Sequence, residues 1–286
     1  MAGSTTTTLN DLLPEIIQEA MFVASERSIM RGLVKNYTLA PAQGTHVNVP
    51  IYPVQTAAAV TEGNEVTNTA VSTNTAQLTI TPVAIRTLLT DLARTSAASN
   101  VVADLGRLFG EAVARKMDQD LCALFGSFAA GYGNFTQVIT AADIFKAVAT
   151  LKANAVPTEG MVCVLHPEVA YDLKAALTTS GNTPFTMGAY GENANEAMRT
   201  GFVGMLAGIP VYETSNIVDT GTPGDYAGAV FQRDALGLGM IGDIAIETQR
   251  RAAFLGDDIV CSAYYGVGEL QDSYGRHLKF DSSINP

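Results

Sequence analysis

Charge is scarce in this chain of 286 residues: Asp, Glu, Lys and Arg together make up 16% of it, against roughly 25% in an average soluble protein. That is too little to solvate the whole surface of an isolated subunit. The shortage is heavier for one sign, with 17 Lys plus Arg against 28 Asp plus Glu and a formal charge of -11. A sequence-independent nucleic-acid binder needs a net basic face to displace counterions from phosphate, so this composition speaks against that class. Lysine is missing altogether between Lys35 and Lys116.

Cysteine and histidine are equally thin. Cys122, Cys163 and Cys261 are far apart and odd in number, which suits reduced thiols in a core rather than a disulfide framework. His46, His166 and His277 are isolated from one another, leaving little for a zinc site or a Ser-His-Asp triad. The one long uncharged stretch, Leu121 to Ala142, is interrupted by Gly126, Gly131, Gly133, Asn134 and Gln137, so no membrane span is expected. The amino terminus, MAGSTTTTLND, has neither a basic nor an apolar signal region, and a cytoplasmic product is expected. Without export, the sequons at Asn36 and Asn134 carry no meaning.

Apolar residues make up 47%, enough for one large domain or two modest ones with a sizeable core. Residues 9–31 read as an amphipathic arm, a helix broken early by Pro14, with Ile16, Ile17, Ala20, Met21 and Ala24 at helical spacing. From about Thr45 the period becomes two: Val47, Val49 and Ile51 alternate with polar neighbours, and the alternation resumes at Leu78 and Ile80. Between them runs a small, polar tip, Thr61 to Gln77, whose only charges are Glu62 and Glu65, with Gly63 between them.

Asn100 is placed to cap a long helix with an apolar stripe of Val101, Leu105, Leu108, Phe109, Ala112 and Val113, and with Arg107, Glu111, Arg115 and Asp118 off it. Running to about Phe125, it would be about 37 Å long. Thr140 and Asp143 have capping-box spacing before a helix that turns Ile144, Val148 and Leu151 inward. MVCVL from Met161 reads as a buried strand, Pro167 opens another helix over Val169, Leu173, Ala176 and Leu177, and residues 179–201 read as a loop. Strands are expected at Ile209 to Thr214, Ala227 to Gln232 and along the tail from Ile244, so the fold class is α+β with an α/β unit over residues 140–240.

No catalytic set stands out. GLGMIG, Gly237 to Gly242, satisfies G-x-G-x-x-G, but a dinucleotide site needs that string to open a helix, and the alternation after Asp243 is a strand's. It reads as a glycine-rich turn. Cys163 and His166 are three apart, yet strand alternation turns them away from each other, so a core thiol beside a surface histidine is expected. Asp257 and Asp258 read as a solvated pair in a turn. No cofactor and no metal are expected.

What does stand out is a segment that cannot stabilise itself. Ordering a chain costs about 1.5 kcal/mol per residue, and a two-stranded ribbon over residues 45–90 exposes both faces and recovers too little by burial to offset that cost. Neighbouring copies are the economical partner, each chain lending its arm and ribbon to the next in head-to-tail contacts that close into rings or shells.

The order of parts, from helical arm through long hairpin, long amphipathic helix and α/β unit to returning strands, resembles the major capsid proteins of tailed bacteriophages. The resemblance is carried by GMLAGIPVYETSNI (Gly204 to Ile217), VLHPEVAYDLK (Val164 to Lys174), Ala229 to Ala252, and YYGVGELQDSYGRHL (Tyr264 to Leu278). It implies an N-terminal arm over 1–42, an extended loop over 43–90, a peripheral domain with its spine helix over 91–140, an axial domain over 141–240, and return strands of the peripheral domain over 241–286. It further implies no enzymatic activity. Copies of the chain would form pentamers and hexamers of an icosahedral shell, a virion component assembled in the host cytoplasm. The shell would enclose DNA without sequence-specific binding and without a membrane, and scaffolding, portal and cement proteins are candidate further partners. On this resemblance Val47, Val49, Ile51, Thr61, Glu62, Gly63, Glu65, Leu78 and Ile80 are the intersubunit contact, and Leu105, Leu108, Phe109, Ala112 and Val113 the spine helix. Absence of loop lysines argues against covalent cross-linking of neighbours. An encapsulin-like compartment shares the expected fold, and a cytoplasmic α/β enzyme using Cys163 or the 237–242 glycines is the alternative of another class.

Overall fold

The structure, a computed structural model, describes residues 29–40, 44–52, 55, 57, 59–63, 65, 70–96, 101–179 and 202–284. The expected arm helix before Ile29, the Asn100 cap and the loop over 180–201 lie outside these residues. Two long strands dominate, β10 (Leu236–Arg251) and β11 (Gly256–Glu269), paired antiparallel with a register shift between Ile241 and Ala245. On their outer edges β1 (Lys35–Leu39) runs parallel to β10, and β4 (Thr81–Thr90) antiparallel to β11. A second sheet has six strands in the order β5 (Gly131–Tyr132), β12 (Gly275–Asp281), β9 (Asp225–Gln232), β6 (Met161–Leu165), β8 (Ile209–Glu213), β7 (Phe202–Leu206).

The tail strand β12 thus joins the six-stranded sheet, where the resemblance placed it in the peripheral one. Hydrogen-bond demand explains this: β9 would otherwise show a bare edge in the middle of the α/β unit. The glycine run is likewise no turn. Gly237 and Gly239 lie inside β10, and only Gly242, with φ +66, supplies the backbone kink at the bulge.

Between the sheets lies α3 (Val101–Ala123; α1 is Met30–Leu33 and α2 Asp91–Ser96), at 23 residues about 35 Å long. Its inward row is Phe109, Val113, Met117 and Leu121, continued by Phe125 in the following 3-10 turn. These pack with Leu236, Leu238, Met240 and Tyr265 of the long strands and with Phe231, whose ring centroid is 5.5 Å from that of Phe125. Leu108, expected on the buried stripe, is 59% exposed, and Leu105 and Ala112 are only half-buried. The stripe is rotated towards Val113 and Met117, the side that Met30 and Val34 help to cover. Asp118, expected outside, is fully buried there: its Oδ2 accepts from the Ile29 amide (3.2 Å) and from Asn216 Nδ2 (3.3 Å).

On the other face of the six-stranded sheet sit α4 (Ala141–Ala153) and α5 (Pro167–Thr179), over a second core of Ile144, Val148, Leu151, Cys163, Leu173 and Phe280. The Thr140 and Asp143 capping box forms as expected. The hairpin end of β10 and β11 is latched by charge. Asp258 pairs with Arg86 (2.7 Å) and Arg251 (2.9 Å), while Arg250 grips Asp91 with both terminal nitrogens and reaches Asp257, which Arg94 also approaches. Asp257 and Asp258 are therefore buried in a strand, not solvated in a turn, and the Arg86 guanidinium holds the Asp258 carboxyl below the ordinary carboxylate range.

At the opposite end, Ser127 Oγ donates to Glu269 (3.2 Å), and Asp272 accepts from the Ala129 amide (2.7 Å). Burial, then the charge and hydrogen bond of Asp272, push the Glu269 carboxyl above its ordinary value, against the Ser127 contact.

Two outcomes are expected of the unassembled subunit. Phe109→Ala costs about 3–5 kcal/mol in urea unfolding, as for a filled core position, whereas Leu108→Ala stays within about 0.5 kcal/mol. Because the folded pKa of Glu269 is raised, its contribution is complete below the ordinary carboxylate value of about 4.3 and is lost as pH rises through the folded value. Melting of Glu269→Gln should therefore match or exceed the parent at pH 7, with the advantage shrinking towards pH 4.

Candidate assembly loop and its seat

Between β1 and β4 the chain leaves the body as a ribbon of β2 (His46–Ile51) and β3 (Asn74–Thr79), which pair only with each other, Val47 opposite Leu78 and Val49 opposite Ala76. β3 starts four residues before Leu78, so the tip ends sooner than the sequence pattern suggested. The ribbon is also shorter than the 45–90 hairpin, because Thr81–Thr90 is taken up by β11 of the same chain.

The base of the ribbon is settled by its own subunit. Leu78 and Ile80 are buried, Val47, Val49 and Ile51 half-buried, and the Ile80 amide donates to the Thr45 carbonyl across the ribbon (2.8 Å). Leu78, Ile80 and Val47 lie on a floor of glycines: Gly237 stands opposite Gly268 and Gly239 opposite Gly266. A Cβ on Gly268 would lie 2.6 Å from Leu78 Cδ2, one on Gly237 3.0 Å from Leu78 Cδ1, and one on Gly239 3.2 Å from Val47 Cγ2. At Gly266 the obstacle is backbone, the Thr79 carbonyl oxygen, at well under contact distance. Glycine inside a strand marks such close approach.

The tip is different. Thr61, Glu62, Gly63 and Glu65 are exposed, with Glu62 and Gly63 in a turn and Gly63 at φ +87. Three larger apolar side chains there, Tyr52 (69% exposed), Val60 (48%) and Val71 (55%), touch no core. The nine loop residues singled out in the sequence thus fall into two groups: Val47, Val49, Ile51, Leu78 and Ile80 along the ribbon and its base, with Val47, Leu78 and Ile80 on the seat, and Thr61, Glu62, Gly63 and Glu65 at the tip. Gly266 and Gly268 were missed, although Gly-Val-Gly repeats the alternation of Gly-Leu-Gly across the strand pair.

The residues weighed for chemistry are not assembled into a site. Cys163 is fully buried in the central strand, and burial pushes its thiol far up, away from the reactive thiolate. Cys122 and Cys261 are free and buried, the Cys261 thiol pushed up to about 11. His166 is half-buried rather than on the surface, stacked on Tyr226 with centroids 3.6 Å apart, and burial lowers its pKa. No group of three or more His, Cys, Asp or Glu among the described residues could hold a metal ion, and none of the described helices is long and apolar enough to cross a membrane.

Solved phage structures share this fold. The capsid structure of the Cyanophage P-SCSP1u superposes with a TM-score of 0.67 at 19% identity, covering 90% of this chain and 89% of that one. The structure titled Mycobacterium phage Che8 gives 0.63 at 21% identity over 83% and 85%. The acid-stable capsid of Helicobacter pylori bacteriophage KHP30 gives 0.66 at 11% identity over 89% and 91%. No curated protein matches the chain. The family described as Phage capsid protein matches residues 73–275, from the tip end of β3 to the start of β12. With so much of its length matched, this chain belongs to the phage capsid protein family, whose role is structural rather than enzymatic.

Proposed function

We propose that this chain is the major capsid subunit of a tailed bacteriophage, self-assembling as pentamers and hexamers into an icosahedral shell that encloses the DNA genome. In this reading the subunit is a virion component assembled in the host cytoplasm. Residues 43–80 are the loop, whose tip is lent to a neighbour, α3 is the spine, and the six-stranded sheet with α4 and α5 is the part that meets symmetry mates around each capsomer.

One observation carries the reading: the loop base is buried by its own subunit while the tip, with Tyr52, Val60 and Val71 exposed, is not. Apolar groups held out beyond the paired strands of the ribbon lose their hydration cost only against another surface. A heterologous contact, in which the tip of one copy meets a different patch on the next, closes into rings. The net charge of -11 fits an inner wall that encloses a polyanion without gripping it. Scaffolding, portal and cement proteins belong to the same reading as further partners.

Expressed alone, the subunit should give rings, tubes or closed particles in negative-stain microscopy and sedimentation. Replacing residues 55–70 by a short turn should leave a folded subunit whose assembled fraction falls by more than about tenfold, the equivalent of ~1.4 kcal/mol. Assembly undiminished by that replacement would refute the loop's role.

A further inference from the structure

The glycine-rich run Gly237 to Gly242 is the one sequence motif that neither catalysis nor the core accounts for, and the loop is the one element whose direction must be set before a neighbour arrives. We propose that Gly266, with Gly268, Gly237 and Gly239, forms a seat that fixes the angle at which the assembly loop leaves the subunit, making these glycines positioning residues for shell geometry. This rests on the reading of the loop as the intersubunit element and names what aims it.

The argument is steric. Where Leu236–Met240 pairs with Tyr265–Glu269, large apolar side chains are buried against the spine helix from one face: Leu236, Leu238, Met240 and Tyr265. On the other face the alternate positions are Gly237 and Gly239 on β10 and Gly266 and Gly268 on β11, paired directly across the ladder. The ribbon therefore lies flush on bare backbone. Among the described residues no hydrogen bond joins β2 or β3 to this floor; the contact is packing, between Leu78, Ile80 and Val47 above and glycine below. The base is anchored where Thr81 of β4 pairs with Tyr265, but with no bond between ribbon and floor the fit to the glycines sets how closely it lies, and any side chain raised from the floor becomes a wedge under the loop base. A small tilt at the base is multiplied along the loop to its tip, where the neighbour is met.

None of the four glycines has a positive φ, so alanine is compatible with each strand position and the sheet itself gives no reason for glycine. The clearances rank the positions. An alanine at Gly266 meets the Thr79 carbonyl, backbone that cannot rotate away; at Gly268 it meets the end of Leu78 at 2.6 Å, a side chain that can be trimmed; at Gly239 it meets Val47 at 3.2 Å, a matter of tenths of an ångström.

The test is a series on the full chain, Gly266→Ala, Gly268→Ala and Gly239→Ala, with Gly268→Ala combined with Leu78→Val. Each is scored twice: by far-ultraviolet circular dichroism and thermal melting of the unassembled subunit, and by yield and diameter of particles in sedimentation and microscopy. The expected result is a folded subunit in every case. Particle yield falls more than tenfold, or particles change diameter, for Gly266→Ala; the defect is smaller for Gly268→Ala and slight for Gly239→Ala. Trimming Leu78 to valine restores normal particles to Gly268→Ala. Parent-like particles from Gly266→Ala, equal defects at all three positions, an unfolded Gly266→Ala subunit, or failure of the Leu78 trim to rescue would each overturn the proposal. If the seat series is silent while the 55–70 replacement still blocks assembly, the seat alone is wrong; if both are silent, the loop reading goes with it.

Discussion

The antiparallel pair of β10 and β11 has to serve two tenants at once, and its period-two alternation is what makes that possible. Side chains on one face, Leu236, Leu238, Met240 and Tyr265, are buried with Phe109, Val113 and Met117 of the spine helix. Their neighbours on the other face are glycines, which admit the loop base at backbone distance. A one-residue slip between these strands would exchange the two faces, putting leucine under the loop and glycine under the helix. Register is held from both ends, by the Arg86, Arg250 and Arg251 pairs to Asp91, Asp257 and Asp258 at the hairpin and by the bond from the Tyr265 hydroxyl to Asp120 of the helix (2.8 Å).

Function follows from where the packing stops. Core side chains fill both faces of the six-stranded sheet and one face of the long pair, and the loop base uses the other. Beyond Ile51 and Asn74 none of the described residues covers the loop, and Tyr52, Val60 and Val71 are exposed. The low share of charged residues has the same origin: a surface that neighbours will cover has less need of charge than one that water must solvate.

Much of this was legible in the residues. Period-two runs marked β2 and the second half of β10, the Thr140 and Asp143 spacing marked α4, and five apolar residues in a row marked the central strand β6. The order of parts, more than any motif, pointed to the family. Other features depend on partners distant in sequence. Leu108 obeys the helical period as well as Phe109 does, and only the route of the chain around Ile29 and Val34 decides which is covered. Asp118 looks like a surface carboxylate until Ile29 and Asn216 are brought to it. The glycines spell a nucleotide-binding string, but that string needs a helix after it, and here a strand follows; their alternation with Leu238 and Val267 was the stronger signal.

The central claim is that the loop tip finds a partner surface only in another copy of the chain. Hydrogen–deuterium exchange of residues 52–73, compared between unassembled subunits and purified particles, tests it most directly. The account predicts rapid exchange of these amides in the free subunit and strong protection in the particle, with β2 and β3 already protected in both. Equal protection of the tip in the free and assembled states would contradict it.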